Sequence, residues 1–157
     1  MTITEQTKRI LSALDSWVEN NSGRAFIASD ALHCVEELRG KPGAPTAAVL
    51  WQSENPDGRY AEEGKVLRIF KIVVSRGRGL KLVTGESLSE GVAGGPAMFD
   101  LVEQAREVAR NLRMEDEPGE LQLPIYKGSG PFSVHGYILD AMEIRFALYA
   151  QIPFQDQ

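Results

Sequence analysis

The sequence is poor in the side chains that carry out most nucleophilic and metal chemistry. Its 157 residues include one cysteine, Cys34, and two histidines, His33 and His135. A single cysteine excludes an internal disulfide and any zinc site built from several cysteines. No apolar run reaches the roughly 18 residues that a membrane-spanning helix needs, so we expect none. The charged segment Met1–Ile10 does not have the pattern of a secretory signal. These absences favour a protein that acts through its surfaces.

The rest of the composition is that of an ordinary globular domain. Hydrophobic residues make up 43% of the chain and charged residues 25%, so a core of normal size can form. The length predicts a single domain over residues 1–157. The net charge of −5 disfavours a general nucleic-acid binder.

The charge is unevenly placed along the chain. Residues 1–80 carry a net charge of +1, whereas residues 81–157 carry −6. Two interpretations remain open: two solvated surfaces, or attraction between copies of the chain in a head-to-tail contact. The basic segment comprises Lys65, Arg68, Lys71, Arg76, Arg78 and Lys81, and the acidic linker comprises Glu115, Asp116, Glu117 and Glu120.

Two amphipathic helices are predicted. Thr2 and Glu5 have the spacing of a capping box, and an apolar stripe including Trp17 follows, so the first helix should span residues 3–20. We expect Gly23 to end it in a left-handed conformation. The second helix should begin at Pro96 and end near Met114, before the acidic linker.

The strands follow from alternation and β-branched content. Residues 46–52 and 66–75 should pair as an antiparallel hairpin across a long loop, 53–64. Residues 142–152 alternate strictly and predict a last strand with one buried face. The remaining expectations are a brief strand at 24–28, a helical turn or two at 31–38 capped by Ser29 or Asp30, a glycine-rich loop at 76–97, a possible strand at 121–126, a turn at 127–131, and 132–140 as extension or partner of the last strand.

Together these elements predict an α+β domain. An antiparallel sheet of about four strands would have two helices packed on one face. The other face would then need a cover, which suggests association with neighbouring subunits. Trp17 and Trp51 are expected to be core or interface anchors, and Tyr149 lies on the polar face of the last strand.

No reactive constellation stands out. His33 and Cys34 are adjacent, so their side chains diverge and make a poor catalytic pair, and Cys34 is expected to be a small buried residue. Ser133 and His135 share a strand face but lack an evident acid. Residues 91–95 are rich in glycine before a helix, which is a flexible loop more often than an anion site. We therefore predict no catalytic, metal or cofactor-binding residue and no cofactor.

The order of elements resembles a known family, the tail terminator (tail completion) proteins of tailed bacteriophages. The resemblance rests on the opening helix from Ile3, the strand 45–50, the strand 66–75, the helix start at 99–103 and the terminal strand 142–152. It covers most of the chain and is a likeness of order and pattern.

The resemblance implies a structural virion protein and not an enzyme. Such a protein would form a ring, as a hexamer, that caps the tail tube and joins tail to head. The partners would be other copies of the chain, the tail tube protein and the head–tail connector protein. DNA would pass through the lumen without specific binding, and assembly would take place in the cytoplasm of a bacterial host.

The expected contacts lie in the loops 53–64 and 76–97 and at the sheet edges. Two alternatives stay open: another neck or tail-tube component, or a small α+β enzyme or ligand-binding domain that uses loop 76–97 as a lid. The candidate assembly residues are Trp51, Arg59, Tyr60, Arg68, Lys71, Arg76, Arg78, Glu115, Asp116, Glu117 and Tyr149.

Overall fold

The described residues of the computed structural model form three helices and seven strands. They are residues 1–37, 44–56, 64–76, 97–115, 121–134 and 137–152, with the backbone alone described at 133, 134 and 137–140. The helices are α1 (Ile3–Glu19), α2 (Ala31–Glu37) and α3 (Met98–Arg110); the strands are β1 (Arg24–Ile27), β2 (Thr46–Pro56), β3 (Lys65–Ser75), β4 (Met114–Glu115), β5 (Leu121–Gln122), β6 (Ile125–Val134) and β7 (Tyr137–Gln151).

The α+β class is confirmed, but the sheet differs from the predicted one. It has five strands in the order β1-β2-β3-β7-β6, and β4 and β5 form a separate two-stranded ribbon. β1 runs parallel to β2, whereas β2–β3, β3–β7 and β7–β6 are antiparallel. The parallel pair arises because α2 carries the chain back between β1 and β2, which a tight hairpin could not do.

The start of α1 is the predicted capping box. The Thr2 hydroxyl accepts a hydrogen bond from the Glu5 amide at 3.1 Å, and the Glu5 carboxylate accepts one from the Thr2 amide at 2.8 Å. The end of α1 differs from the prediction, because Ser22 and not Gly23 takes the left-handed conformation, with φ of 60°. Gly23 is required for another reason: a Cβ there would lie 2.0 Å from the carbonyl oxygen of Pro45.

The two long helices pack on one face of the sheet, as predicted. α1 contacts mainly β1 and β2, and α3 contacts mainly β3 and β7. The main core lies between these layers and includes the Phe70 and Phe146 rings, stacked with centroids 6.0 Å apart. Trp17 joins the helices, since its indole nitrogen donates to the Gln104 side chain at 3.0 Å.

A third helix, α2, covers part of the opposite face. Cys34 of α2 is fully buried in a second cluster with Leu50, Val73 and Phe132. Asp30 caps this helix, because its carboxylate accepts the His33 amide at 2.7 Å. The predicted picture of two helices on one face is therefore incomplete: one end of the second face is covered within the chain.

The turn predicted at 127–131 is wrong, because these residues lie inside β6. Gly128 has φ of 122°, and the pairing with β7 shifts register between Tyr126 and Gly128 and again between Pro131 and Ser133. β6 is an edge strand, where a proline and irregular pairing are tolerated because one row of backbone groups needs no strand partner. The alternatives for residues 132–140 both hold, since Ser133 and Val134 of β6 pair with β7 and Tyr137 begins β7.

Two boundaries also differ from the prediction. β2 continues through Asn55 and Pro56, so the first residues of the loop predicted at 53–64 belong to a strand. α3 ends at Arg110, and Met114 belongs to β4 instead of the helix. The predicted glycine-rich loop 76–97, apart from its end residues Arg76 and Ala97, lies outside the described residues.

Candidate functional site

The candidate assembly residues do not form one surface. Six of them are described, and they divide between the helix-bearing face, the opposite face, the interior and the β4–β5 ribbon. Glu115 is exposed on β4. Arg59, Tyr60, Arg78, Asp116 and Glu117 lie outside the described residues.

Two of the candidate arginines point inward. Arg68 is buried: its Nε donates to Glu54 at 2.7 Å, and its Nη1 donates to the Met1 carbonyl at 2.6 Å and the Gln6 side chain at 2.9 Å. Arg76 is among the largest fully buried side chains of the described chain. Neither guanidinium lies on the surface of the single chain, so the basic segment is not one continuous patch. Its members alternate across β3, since strand neighbours point to opposite faces.

Lys71 and Tyr149 lie on the sheet face that α1 and α3 leave open. Lys71 pairs with Glu143 at 3.1 Å, and the Lys65 ammonium lies 4.7 Å from the centre of the Tyr149 ring. Leu67 and Ile69 alternate with these lysines and are half-buried. We call the part of this face that α2 does not cover the open face; it comprises Lys65, Leu67, Ile69 and Lys71 of β3 and Glu143 and Tyr149 of β7. It combines apolar side chains with charged ones, as the rim and core of a protein interface do.

Trp51 lies on the other face, near the β1 edge. Its side chain is 41% exposed, and that of Ile27 on the neighbouring strand is 42% exposed. Both line a shallow depression of about 300 Å³ against the first turns of α1. Exposed aromatic and aliphatic side chains placed together are typical of contact surfaces.

A large cleft lies between α3 and β6, and sequence reasoning missed it. It has a volume of about 720 Å³, its inner surface includes Ala109 and Phe146, and Pro124 and Tyr126 line the β6 side. A helix about 10 Å wide covers about two strands spaced about 4.8 Å apart. Two helices therefore cover four strands of this five-stranded sheet, and β6 is left over. The prediction of about four strands, which two helices can cover, is the reason that the cleft was not anticipated.

His33 and Cys34 make no catalytic pair. The His33 ring nitrogen Nδ1 accepts the Ser29 amide at 2.9 Å and lies 3.1 Å from the Ser29 hydroxyl. Burial raises the pKa of the Cys34 thiol to about 12, so it is protonated at neutral pH and a poor nucleophile. The expectation that Cys34 is a small buried residue is confirmed. His135 and the Ser133 side chain are not described.

Within the described ranges no group of three or more His, Cys, Asp or Glu side chains could hold a metal ion. None of the described helices is long and apolar enough to cross a membrane. No protein-family model matches the chain, and no curated protein matches it either. The features that bear on function are therefore the open face, the depression at Trp51 and the cleft between α3 and β6.

Proposed function

We propose that the protein is a structural component of a phage virion, of the tail terminator type, which forms a ring that caps the tail tube and joins tail to head. The resemblance in element order motivates this proposal. The observation that carries it is the open face, where β3 presents Leu67 and Ile69 among charged side chains of β3 and β7. A side chain that is half-buried in the single chain becomes fully buried when a neighbouring subunit packs on it.

Such a protein acts through the shape of the ring and the contacts between its subunits. Copies join by a head-to-tail contact in which two different surfaces meet, and a suitable rotation closes the ring. The open face and the Trp51 surface face opposite sides of the sheet, so one subunit offers two distinct contacts. One side of the ring would then meet the tube and the other the connector, with DNA passing through a lumen that does not grip it.

Particle mass and shape test this proposal. A ring of six copies of the 17.3 kDa chain has a mass of about 104 kDa, which native mass spectrometry separates from smaller assemblies. Negative-stain images of the same sample should show rings with a central hole. A protein that stays monomeric, both alone and with isolated tail tubes, would contradict the proposal.

The second candidate function is a small ligand-binding domain, and the cleft between α3 and β6 favours it. Its volume is within the range of small-molecule sites, and its lining combines apolar side chains with a few charged ones. A monomer that gains thermal stability from a small molecule, with no rings under any condition, would favour this candidate over the virion component.

A further inference from the structure

The cleft between α3 and β6 is bordered by a stripe of alternating charge. Glu103, Arg106, Glu107 and Arg110 follow one another along α3 at the spacing of a single helix side, and all four line the cleft. The Arg110 and Glu107 side chains are 78% and 58% exposed. We call these four residues the α3 stripe.

The α3 stripe is only partly satisfied within its own helix. Residues four apart carry like charge, Glu103 with Glu107 and Arg106 with Arg110, whereas residues three apart carry opposite charge. Of the two opposite-charge pairs, Glu107–Arg110 forms an ion pair at 3.6 Å, and within the described residues the stripe has no other. Attraction and repulsion within the helix therefore offset each other, which leaves these exposed charges able to pair with a partner outside the helix.

The order of charges fits a second copy of the same helix running in the opposite direction. The stripe reads acidic, basic, acidic, basic, and the reversed stripe reads basic, acidic, basic, acidic. An antiparallel copy therefore places Glu103 of one chain opposite Arg110 of the other, and Arg106 opposite Glu107. Four attractive pairs arise across a two-fold axis, as a contact between identical surfaces requires.

The surroundings of the stripe suit the same partner. β6 is the strand of the five-stranded sheet that neither long helix covers, so a helix from outside can lie above it. Tyr126 of β6 is about half exposed and faces the cleft, and the exposed Leu121 and Leu123 precede it in the chain. A helix laid against this wall would bury apolar surface while its charges meet the stripe.

We propose that a second copy of the chain occupies the cleft, with the two α3 helices antiparallel across a two-fold axis. This contact is separate from the ring contact of the proposed function and does not depend on it, because it uses neither the open face nor Trp51. If both contacts form, two rings join face to face. If the two-fold contact forms alone, the protein is a dimer of about 35 kDa.

Complementary charge variants test the proposal. Glu103→Arg with Glu107→Arg makes the stripe wholly basic, and Arg106→Glu with Arg110→Glu makes it wholly acidic. Each variant alone turns four attractive pairs into repulsive ones, which should weaken the two-fold association at least about tenfold. In native mass spectrometry each variant should therefore have half the particle mass of the wild type, and an equimolar mixture of the two should restore the full mass.

A matched control separates the effect of the two-fold contact on the particle mass from the effect of net charge. Asp15→Arg with Glu19→Arg makes the same change in charge, at the same four-residue spacing, as the basic stripe variant; because these residues of α1 line neither the cleft nor the depression at Trp51, the particle mass should stay unchanged. Far-ultraviolet circular dichroism checks that each variant keeps its helices. Unchanged mass in both stripe variants, or no restoration on mixing, would overturn the proposal. A dimer without rings would support the two-fold contact and contradict the ring function, whereas a single ring unaffected by the stripe variants would do the reverse.

Discussion

At the scale of single residues, burial decides whether a charged side chain can contact another molecule. Arg68 was expected at an assembly surface because it belongs to a basic segment free of acidic residues. In the fold it lies inside, where it bonds to Glu54, Gln6 and the Met1 carbonyl. The sequence shows the charge of a side chain, and its spacing predicts the face of the strand on which it lies. Neither predicts that the N-terminus packs over that face. Lys71 has the same charge on the opposite face and is only partly buried.

Cys34 gives a prediction about alkaline pH. Its buried thiol has a pKa raised from 9.0 to about 12, so the folded chain keeps the proton where the unfolded chain loses it. This contribution to stability is complete below pH 9 and is lost as the pH rises towards 12. Urea denaturation should therefore show wild type losing more stability than Cys34→Ala between these pH values.

The Cys34→Ala variant also serves as the control, because lysines and tyrosines titrate in both proteins. Parallel stability curves for the two proteins across this pH range would contradict the assignment. A thiol reagent offers a second readout: at pH 8 the native wild type should react far more slowly than the protein unfolded in urea, since only an exposed thiolate attacks readily.

At the scale of elements, the long periodic segments were predictable and the irregular ones were not. The capping box and apolar stripe located α1, the content of Ile, Val and Phe located β3, and alternation located β7. The middle of β6 was predicted as a turn because Gly128, Gly130 and Pro131 are turn residues by local preference. Their place at a sheet edge, opposite a long and regular β7, overrides that preference. Pro131 is compatible with an edge strand, but the local sequence does not show that the later strand β7 pairs with this segment.

Replacement by alanine should affect stability strongly at one glycine and weakly at another. A Cβ at Gly23 would lie 2.0 Å from the Pro45 carbonyl oxygen and force β1 away from β2, whereas a Cβ at Gly130 meets no atom within 4 Å. We expect Gly23→Ala to lower the free energy of unfolding by about 2–3 kcal/mol. Gly130→Ala should change it by less than about 1 kcal/mol. Chemical denaturation measures both, and equal effects would show that the close approach at Pro45 is unimportant.

At the scale of the whole molecule, the predicted class holds and the surfaces were only partly foreseen. The sequence indicated a layer of two helices on a sheet with an exposed reverse face. It did not indicate that α2 covers one end of that face, or that a fifth strand creates the cleft. Both depend on how many strands the helices must cover, which follows from the three-dimensional arrangement and not from any local pattern.

Trp51 should matter for assembly and little for folding. Its partly exposed ring next to Ile27 fits an interface anchor, and loss of such a tryptophan weakens association by about thirtyfold or more. If the proposed ring forms, we expect Trp51→Ala to shift it towards single chains at micromolar concentration in mass photometry. Phe99 is the matched control, because it is 45% exposed at the start of α3 and away from this surface. Equal behaviour of Trp51→Ala and Phe99→Ala would argue against a contact at Trp51.

The position of β7 has a consequence for synthesis. It follows every other described strand in the chain, yet it lies between β3 and β6 and hydrogen-bonds to both. On the ribosome, the backbone groups of β3 and β6 that pair with β7 therefore have no strand partner until the residues up to Gln151 have emerged. The open face is built by β3 and β7 together, so it forms only after β7 has emerged. Any contact made through that face must therefore follow the synthesis of β7.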